Sequence, residues 1–236
     1  MCSHQYLKNW AIAGKNHNVE TWDEIFRKYG SRKPEYDDWL DKFLPVMELA
    51  RTTPVIDLGC GIGNDTLYLT ERGFDVISCD YSIEALKRLS YFVEKPETRH
   101  FDIRTRFPFD DSSAEVIISD LSLHYFSKDE TEKIISEISR VLTGSGLFIC
   151  RINSVRDVNF GAGQGEKIEE NFYNYKGSLK RFFDKCDIEY FFHDWKIDYI
   201  NECEMLRYKY KKIVWEFTAG RKQDENNYSM RESVRP

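Results

Sequence analysis

The stretch Val55-Ile56-Asp57-Leu58-Gly59-Cys60-Gly61-Ile62-Gly63-Asn64-Asp65 constrains this chain more than any other. A short apolar run breaks into three glycines at alternate positions and then an amphipathic segment, a pattern that reads as strand, tight turn and helix. Glycines so spaced allow φ values that a Cβ forbids and let the backbone pass close to a ligand. The following helix is expected to aim N–H groups and its positive dipole end at the same point, which suits a polar ligand. Spacing narrows the choice. A dinucleotide fingerprint is G-x-G-x-x-G with a distant acid, whereas here the turn is G-x-G-x-G with Asp57 two residues before its first glycine.

The alternation continues downstream. Asn64 to Arg72 reads as a helix ended by Gly73, and Phe74 to Cys79 as a strand closing on Asp80. Ser82 is placed to cap a helix through Ala85, Leu86, Leu89 and Phe92. A third, weakly marked strand should end near Asp102, and Val116 to Ser119 is a clearer fourth, ending at Asp120. Asp129 to Leu142 carries Ile134, Ile135, Ile138 and Val141 on one helical face, with Gly144-Ser145-Gly146 expected to stop it before a strand from Leu147 to Cys150. Short apolar strands alternating with helices predict an α/β fold with a mostly parallel sheet covered on both faces. Ligands of such sheets bind beyond the carboxyl ends of the strands, where Asp57, Asp80, Asp102 and Asp120 all fall.

The flanks are less regular. Residues 1 to 21 form a polar lead-in around Trp10, and Gly14-Lys15-Asn16-His17-Asn18 looks irregular. Thr21 with Glu24 resembles a capping box opening a helix through Trp22, Ile25, Phe26 and Tyr29 to Gly30. That aromatic stripe suits either core or a cap closing over a ligand. A second helix is expected from Pro34 through Trp39, Phe43 and Met47. Asn153 to Gly177, with Gly161-Ala162-Gly163-Gln164-Gly165, is expected to be a long loop, a mobile lid or disordered. After a short helix near Phe182 to Phe192, Trp195 to Cys203 and Lys212 to Thr218 alternate as strands of a terminal hairpin. The division is thus a lead-in and cap helix over 1–33, one main domain over 34–220 carrying the 153–177 loop, and a polar tail over 221–236.

At 236 residues the chain suits one large domain, and 41% hydrophobic with 15% aromatic residues exclude disorder for most of it. A net charge of −6, with no sustained basic run, argues against attraction to a nucleic-acid backbone. The six cysteines form no C-x-x-C pair and no zinc-like cluster, so no metal is expected. Neither a signal peptide nor a membrane-length apolar run is visible, which points to a cytoplasmic protein without a membrane partner.

An acid about twenty residues after a glycine turn can accept from both hydroxyls of a ribose, and Asp80 is so placed. Asp102, at the next strand end, can accept from an exocyclic amine such as that of adenine, with Phe101 and Ile103 flanking a flat base. Asp102 also suits a solvated loop acid before Arg104 and Arg106. No Lys-Ser/Thr of a P-loop and no arginine beside the glycines is available for phosphates, so a nucleoside bearing a cationic or amino-acid group fits better.

Together, Val55 to Gly63, Asp80, Asp102 and Ile117-Ile118-Ser119-Asp120-Leu121-Ser122-Leu123-His124-Tyr125-Phe126 resemble the class I S-adenosylmethionine-dependent methyltransferases over roughly residues 34 to 218. The resemblance implies a Rossmann-like seven-stranded sheet with an antiparallel last strand. It implies that Asp57 and Gly59, Cys60, Gly61 and Gly63 approach the methionine moiety of S-adenosylmethionine, and that Asp80 with Tyr81 holds the ribose. Asp102 and Ile103 would hold the adenine, and Asp120 and Leu121 would line the floor near the sulfonium. S-adenosylhomocysteine would be the product. The segment from Ser119 to Phe126 and Lys180-Arg181-Phe182-Phe183-Asp184 are most similar to small-molecule enzymes of the tellurite-resistance and thiopurine type.

Position alone suggests His124, Tyr125 and Arg151 as catalytic candidates, with Asn153, Arg156, Asp157, Trp22 and Tyr29 nearby. His124 equally suits a hydrogen-bonded residue at a helix start. The expected activity is methyl transfer to a small molecule. A protein or peptide acceptor, or a non-catalytic cofactor-binding subunit, is the alternative, and oligomeric state is not legible.

Overall fold

The computed structural model describes residues 19–30 and 32–222. The lead-in around Trp10 and the tail beyond Lys222 lie outside the described residues. The first helix, α1, spans Val19–Lys28, so Thr21 lies inside it and does not cap it. The helix expected from Pro34 is instead irregular backbone over 32–37, a 3-10 turn at Asp41–Phe43 and a short helix α2 at Leu44–Glu48. Pro45 stands in the first turn of α2, where its missing N–H has no helical partner to lose.

The alternating core follows: β1 (Val55–Leu58), α3 (Asn64–Thr70), β2 (Val76–Asp80), α4 (Ile83–Leu89), β3 (Glu97–His100), β4 (Ala114–Asp120), α5 (Lys128–Val141) and β5 (Leu142–Asn153). Ser82 caps α4, its Oγ accepting from the Ala85 N–H at 3.2 Å. Ser127 and Glu130 form a capping box that starts α5. Helix α5 passes directly into β5 at Leu142, so Gly144-Ser145-Gly146 does not end it. These residues fall where the β4–β5 register shifts, and a Cβ on Gly146 would stand 3.1 Å from the Ala114 carbonyl oxygen.

The expected loop over 153–177 is corrected too. After a 3-10 turn at Val158–Phe160, the chain forms an antiparallel meander of β6 (Glu166–Glu169), β7 (Phe172–Tyr175) and β8 (Ser178–Arg181). Helix α6 (Lys185–Phe191) leads to β9 (Trp195–Met205) and β10 (Lys212–Arg221), the expected hairpin. The main sheet has the order β3-β2-β1-β4-β5-β10-β9, with all strands running the same way except β10, which is antiparallel to both its neighbours. β3 is a half-exposed edge, which explains its weak apolar signal.

Both faces of the sheet are buried. Ile56, Leu58, Ile117, Phe148 and Phe217 pack with Ile134, Ile135 and Ile138 of α5. Val55, Val76, Ile118 and Ile149, from alternate positions, pack with Trp39, Phe43, Met47, Tyr68 and Leu69 on the other side.

The glycine turn is held by this packing. Gly63 has φ +85°, and a Cβ there would lie 2.1 Å from Leu89 Cδ2 of α4. Gly63→Ala is expected to lower the unfolding free energy by about 1–3 kcal/mol, from backbone strain plus the forced shift of Leu89. Urea denaturation of the two proteins measures this directly.

Candidate active site

Beyond the carboxyl ends of β1 to β4 lies a cavity of about 620 Å³. Strand order spreads its acids in a row: Asp102 after β3, Asp80 at the end of β2, Asp57 in β1 and Asp120 at the end of β4. Gly59, Cys60, Gly61, Tyr81, Ile103 and Leu121 also line it. Gly63 is not in the wall but makes the left-handed step into α3.

The turn's N–H groups face inward more than expected. Gly59 and Cys60 both donate to the Cys79 carbonyl (2.8 and 2.9 Å), and Gly63 donates to the Cys60 carbonyl at 2.9 Å. Gly61 donates to Asp80 Oδ2 at 2.8 Å, and Ser82 N–H to Asp80 Oδ1 at 2.8 Å. The glycines therefore provide close approach more than donors. A Cβ on Gly59 would stand 2.4 Å from Ser122 Cβ, so only glycine lets β1 and the β4 end meet there. Leu121 holds φ +56° with its N–H on the Arg151 carbonyl (2.8 Å), local strain of the kind found at functional sites.

The acids are not alike. Burial pushes Asp80 up to about 6 despite the backbone hydrogen bonds to its carboxylate. Burial, reinforced by the charge of Asp120, raises Asp65 to about 7. Burial and Asp65 also raise Asp57, although Thr66 Oγ1 donates to it at 2.6 Å. For Asp102, burial is outweighed by Arg104, which grips both carboxylate oxygens at 2.6–3.0 Å, and the acid lies below its usual range. Burial likewise opposes ionisation of Asp120, but Arg151 and Arg207 hold it down at about 2.

The catalytic candidates separate. Tyr125 lines the cavity; burial raises its phenol well above the ordinary value, so it stays protonated and is no base. His124 is fully buried behind the wall, its ring 4.2 Å from that of Tyr125, and does not line the cavity. Arg151 does not reach the cavity either. At 1% exposure it donates from Nε to Asp120 Oδ1 and from Nη2 to Asp120 Oδ2, both at 2.7 Å. Asn153 and Asp157 are buried partners of Lys212 (2.7 and 2.9 Å), and Arg156 pairs outward with Glu202 at 2.6 Å.

Other cavity residues were not singled out from the sequence. Asn64, Asp65 and Ser122 flank the glycine turn, and Phe172, Ser178 and Leu179 come from the meander. Arg207 and Tyr208 come from the turn between β9 and β10. The only sequence signal for the last pair is the cationic and aromatic run Arg207-Tyr208-Lys209-Tyr210-Lys211. Trp22, Phe26 and Tyr29 form one wall, Trp22 meeting Tyr125 edge-on at 5.1 Å between ring centres. Among the described residues of the wall there is no histidine and no lysine, and burial holds the Cys60 thiol protonated.

The donor set fits one kind of small ligand. Six wall acids, Asp57, Asp65, Asp80, Asp102, Asp120 and Glu130, face two wall arginines, Arg104 and Arg207. Such a site favours a nucleoside carrying positive charge and disfavours a pyrophosphate. The fold is that of solved S-adenosylmethionine-dependent methyltransferases: one from Methanosarcina mazei superposes with a TM-score of 0.63 at 18% identity, covering 76% of this chain and 98% of that one. Residues 56–150 match the family model described as a methyltransferase domain. A glycine/sarcosine N-methyltransferase of Aphanothece halophytica is 27% identical over 161 residues, 66% of this chain and 58% of that protein. A tRNA N(3)-cytidine methyltransferase of Xenopus tropicalis is 25% identical over 63% of this chain and 48% of that one. The crystal structure of TehB from Haemophilus influenzae superposes with a TM-score of 0.59 at 17% identity, covering 85% of this chain and 67% of that one. The chain spans about half the length of the curated relatives it matches. Among the described residues, no helix is long and apolar enough to cross a membrane.

The raised pKa of Asp65 has a consequence for stability. A carboxyl whose folded value lies above its unfolded one carries a penalty that grows as pH rises from about 4 to about 7 and is constant above that. Asp65→Asn removes the penalty and keeps a side-chain oxygen to accept from Trp39 Nε1, now 2.9 Å from Asp65 Oδ1. The variant is expected to melt higher than the parent at pH 8, with the gap shrinking toward pH 4, in thermal scans without ligand.

Proposed function

We propose that the chain catalyses methyl transfer from S-adenosylmethionine to a small-molecule acceptor, releasing S-adenosylhomocysteine. The observation that carries this reading is the row of acids across β3, β2, β1 and β4, closed over by the aromatic face of α1. In it, Asp80 holds the ribose hydroxyls and Asp102 with Ile103 the adenine edge. Tyr81 lies beside the ribose, and Gly59, Cys60 and Gly61 let the backbone run along the methionine chain. Asp57 lies beneath that chain, while Asp120 and Leu121 floor the reacting end.

Bound along these residues, S-adenosylmethionine would supply an electrophilic methyl carbon, with its sulfur as the leaving group that keeps the bonding electron pair. The protein's work is alignment of the acceptor lone pair with the methyl–sulfur bond and exclusion of water. Trp22, Phe26 and Tyr29 perform the exclusion, with Tyr125 and Tyr208 on facing walls. Burial keeps both of these phenols protonated, so they donate hydrogen bonds and orient the acceptor. A wall without histidine or lysine among the described residues suits a nucleophile that attacks before losing any proton, such as an amine, a thiolate or another soft anion.

Size and charge favour a small acceptor over a polymer. The cavity is of the size that encloses small ligands, and the chain's net charge is −6. Incubating the protein with methyl-labelled S-adenosylmethionine and separate pools of metabolites, peptides and tRNA tests this. Label is expected in the metabolite pool, and label only in peptide or tRNA overturns the small-molecule assignment.

Cofactor binding should also report Asp80. Since the carboxylate is needed as the acceptor for ribose, affinity for S-adenosylhomocysteine is expected to be flat at pH 7–8. It should fall by up to about tenfold per unit below pH 6. Asp80→Ala should weaken binding by about 10- to 100-fold and flatten that profile in calorimetric titrations.

A further inference from the structure

The order of the strands gives the cavity a direction. Asp102 and Asp80 mark its β3–β2 end and Asp120 its β4 end, with the glycine turn between them. A nucleoside held at the first end therefore extends its side chain over the turn toward Asp120.

Two buried groups of opposite charge meet at that second end. Asp65, 4% exposed, is the second residue of α3 and spends Oδ1 on the Trp39 indole N–H at 2.9 Å. Arg207 reaches in from the β9–β10 turn with its side chain 14% exposed. Its Nη2 donates to Asp120 Oδ2 at 3.0 Å. The Asn64 amide, oriented with its oxygen toward Arg207, accepts from Nη1 at 3.1 Å.

Asp120 does not need Arg207. It is already gripped through both oxygens by Arg151, which also holds Asp37 at 2.9 Å. A second guanidinium on a carboxylate with a two-pronged partner leaves positive charge directed at the cavity, next to an acid that burial disfavours as an anion. An α-amino acid presents the complement of this pair, one carboxylate and one ammonium on a single carbon.

We propose that Arg207 and Asp65 form a charge clamp for the amino-acid end of the cofactor, Arg207 taking its carboxylate and Asp65 its ammonium. This rests on the assignment of S-adenosylmethionine as the ligand and adds to the glycine turn a contact from the far end of the chain. It gives the β9–β10 turn a role in binding and makes recognition depend on both ends of the cofactor.

The test is calorimetric titration of the full chain, Arg207→Met, Arg207→Lys and Asp65→Asn with four ligands. These are S-adenosylhomocysteine, its decarboxylated analogue, its deaminated analogue and 5′-methylthioadenosine. The parent is expected to prefer S-adenosylhomocysteine over each truncated ligand by about 10- to 100-fold. Arg207→Met should erase the preference over the decarboxylated analogue, Arg207→Lys should restore part of it, and Asp65→Asn should erase the preference over the deaminated analogue. Affinity for 5′-methylthioadenosine should be unchanged throughout. Variants that keep the parent's preferences, or that lose affinity equally for all four ligands, overturn the clamp while leaving the cofactor assignment intact. A parent chain that binds neither S-adenosylhomocysteine nor 5′-methylthioadenosine overturns the cofactor assignment and the clamp with it.

Discussion

A single buried guanidinium ties the site to the rest of the molecule. Arg151, near the end of β5, is almost completely enclosed, yet the carboxylates around it more than offset the cost of burial and keep it charged. It bonds to Asp120 on β4 and Asp37 on the irregular segment before α2, lies 3.9 Å from Glu216 on β10, and stacks on Trp39 with 4.5 Å to the ring centre. A charge so deep is tolerable only with its partners in place, and loss of one would leave another uncompensated. Four stretches of chain therefore share one arrangement. That arrangement aims Asp120 and fixes Trp39, which in turn orients Asp65.

The same logic explains how α1 becomes a wall. Asp23 accepts from the Ser82 hydroxyl and from the Glu84 N–H (3.2 Å), so α1 is attached at the start of α4, beside Asp80. Arg88 of α4 donates to the Arg32 carbonyl at 2.8 Å just beyond α1. With both ends held, the Trp22, Phe26 and Tyr29 stripe has little freedom except to face the cavity. An amphipathic stripe reads alike whether protein or ligand covers it, since either removes the rings from water. Periodicity therefore located this helix without deciding between core and cap.

What the sequence made legible follows the range of the interactions involved. β1, the glycine turn and the Ser82 cap are written in consecutive residues, and they stand where local pattern puts them. The irregular segment from Pro34 to Asp37 reads as helix because Trp39, Phe43 and Met47 after it recur at helical spacing; the ion pair from Asp37 to Arg151, 114 residues away, anchors it without helical bonds. The glycines of 161–165 suggest an open loop, yet Gly165 packs so close to β7 that a Cβ would lie 2.3 Å from the Asn174 carbonyl oxygen. Arg207 carried no signal beyond the cationic and aromatic run it opens, because its meaning lies in Asp120, 87 residues earlier. His124 and Arg151 were drawn by proximity in sequence to a strand end, which fixes a Cα but not the side of the sheet a side chain takes.

The electrostatics of the cavity then account for the form of the glycine motif. In a pyrophosphate site the turn's N–H groups must face the ligand, and acids nearby would oppose binding. Here Gly61 turns its N–H to Asp80, so the turn binds and orients an acid. Burial holds Asp57 and Asp65 toward their neutral forms, reinforced at Asp57 by Asp65 and at Asp65 by Asp120. A ligand bringing an ammonium and a sulfonium offsets that repulsion as it binds. On the proposed reading, methyl transfer removes the sulfonium charge and with it part of this attraction. The charge excess that selects the methyl donor is then the same feature that loosens the site's hold on the spent cofactor.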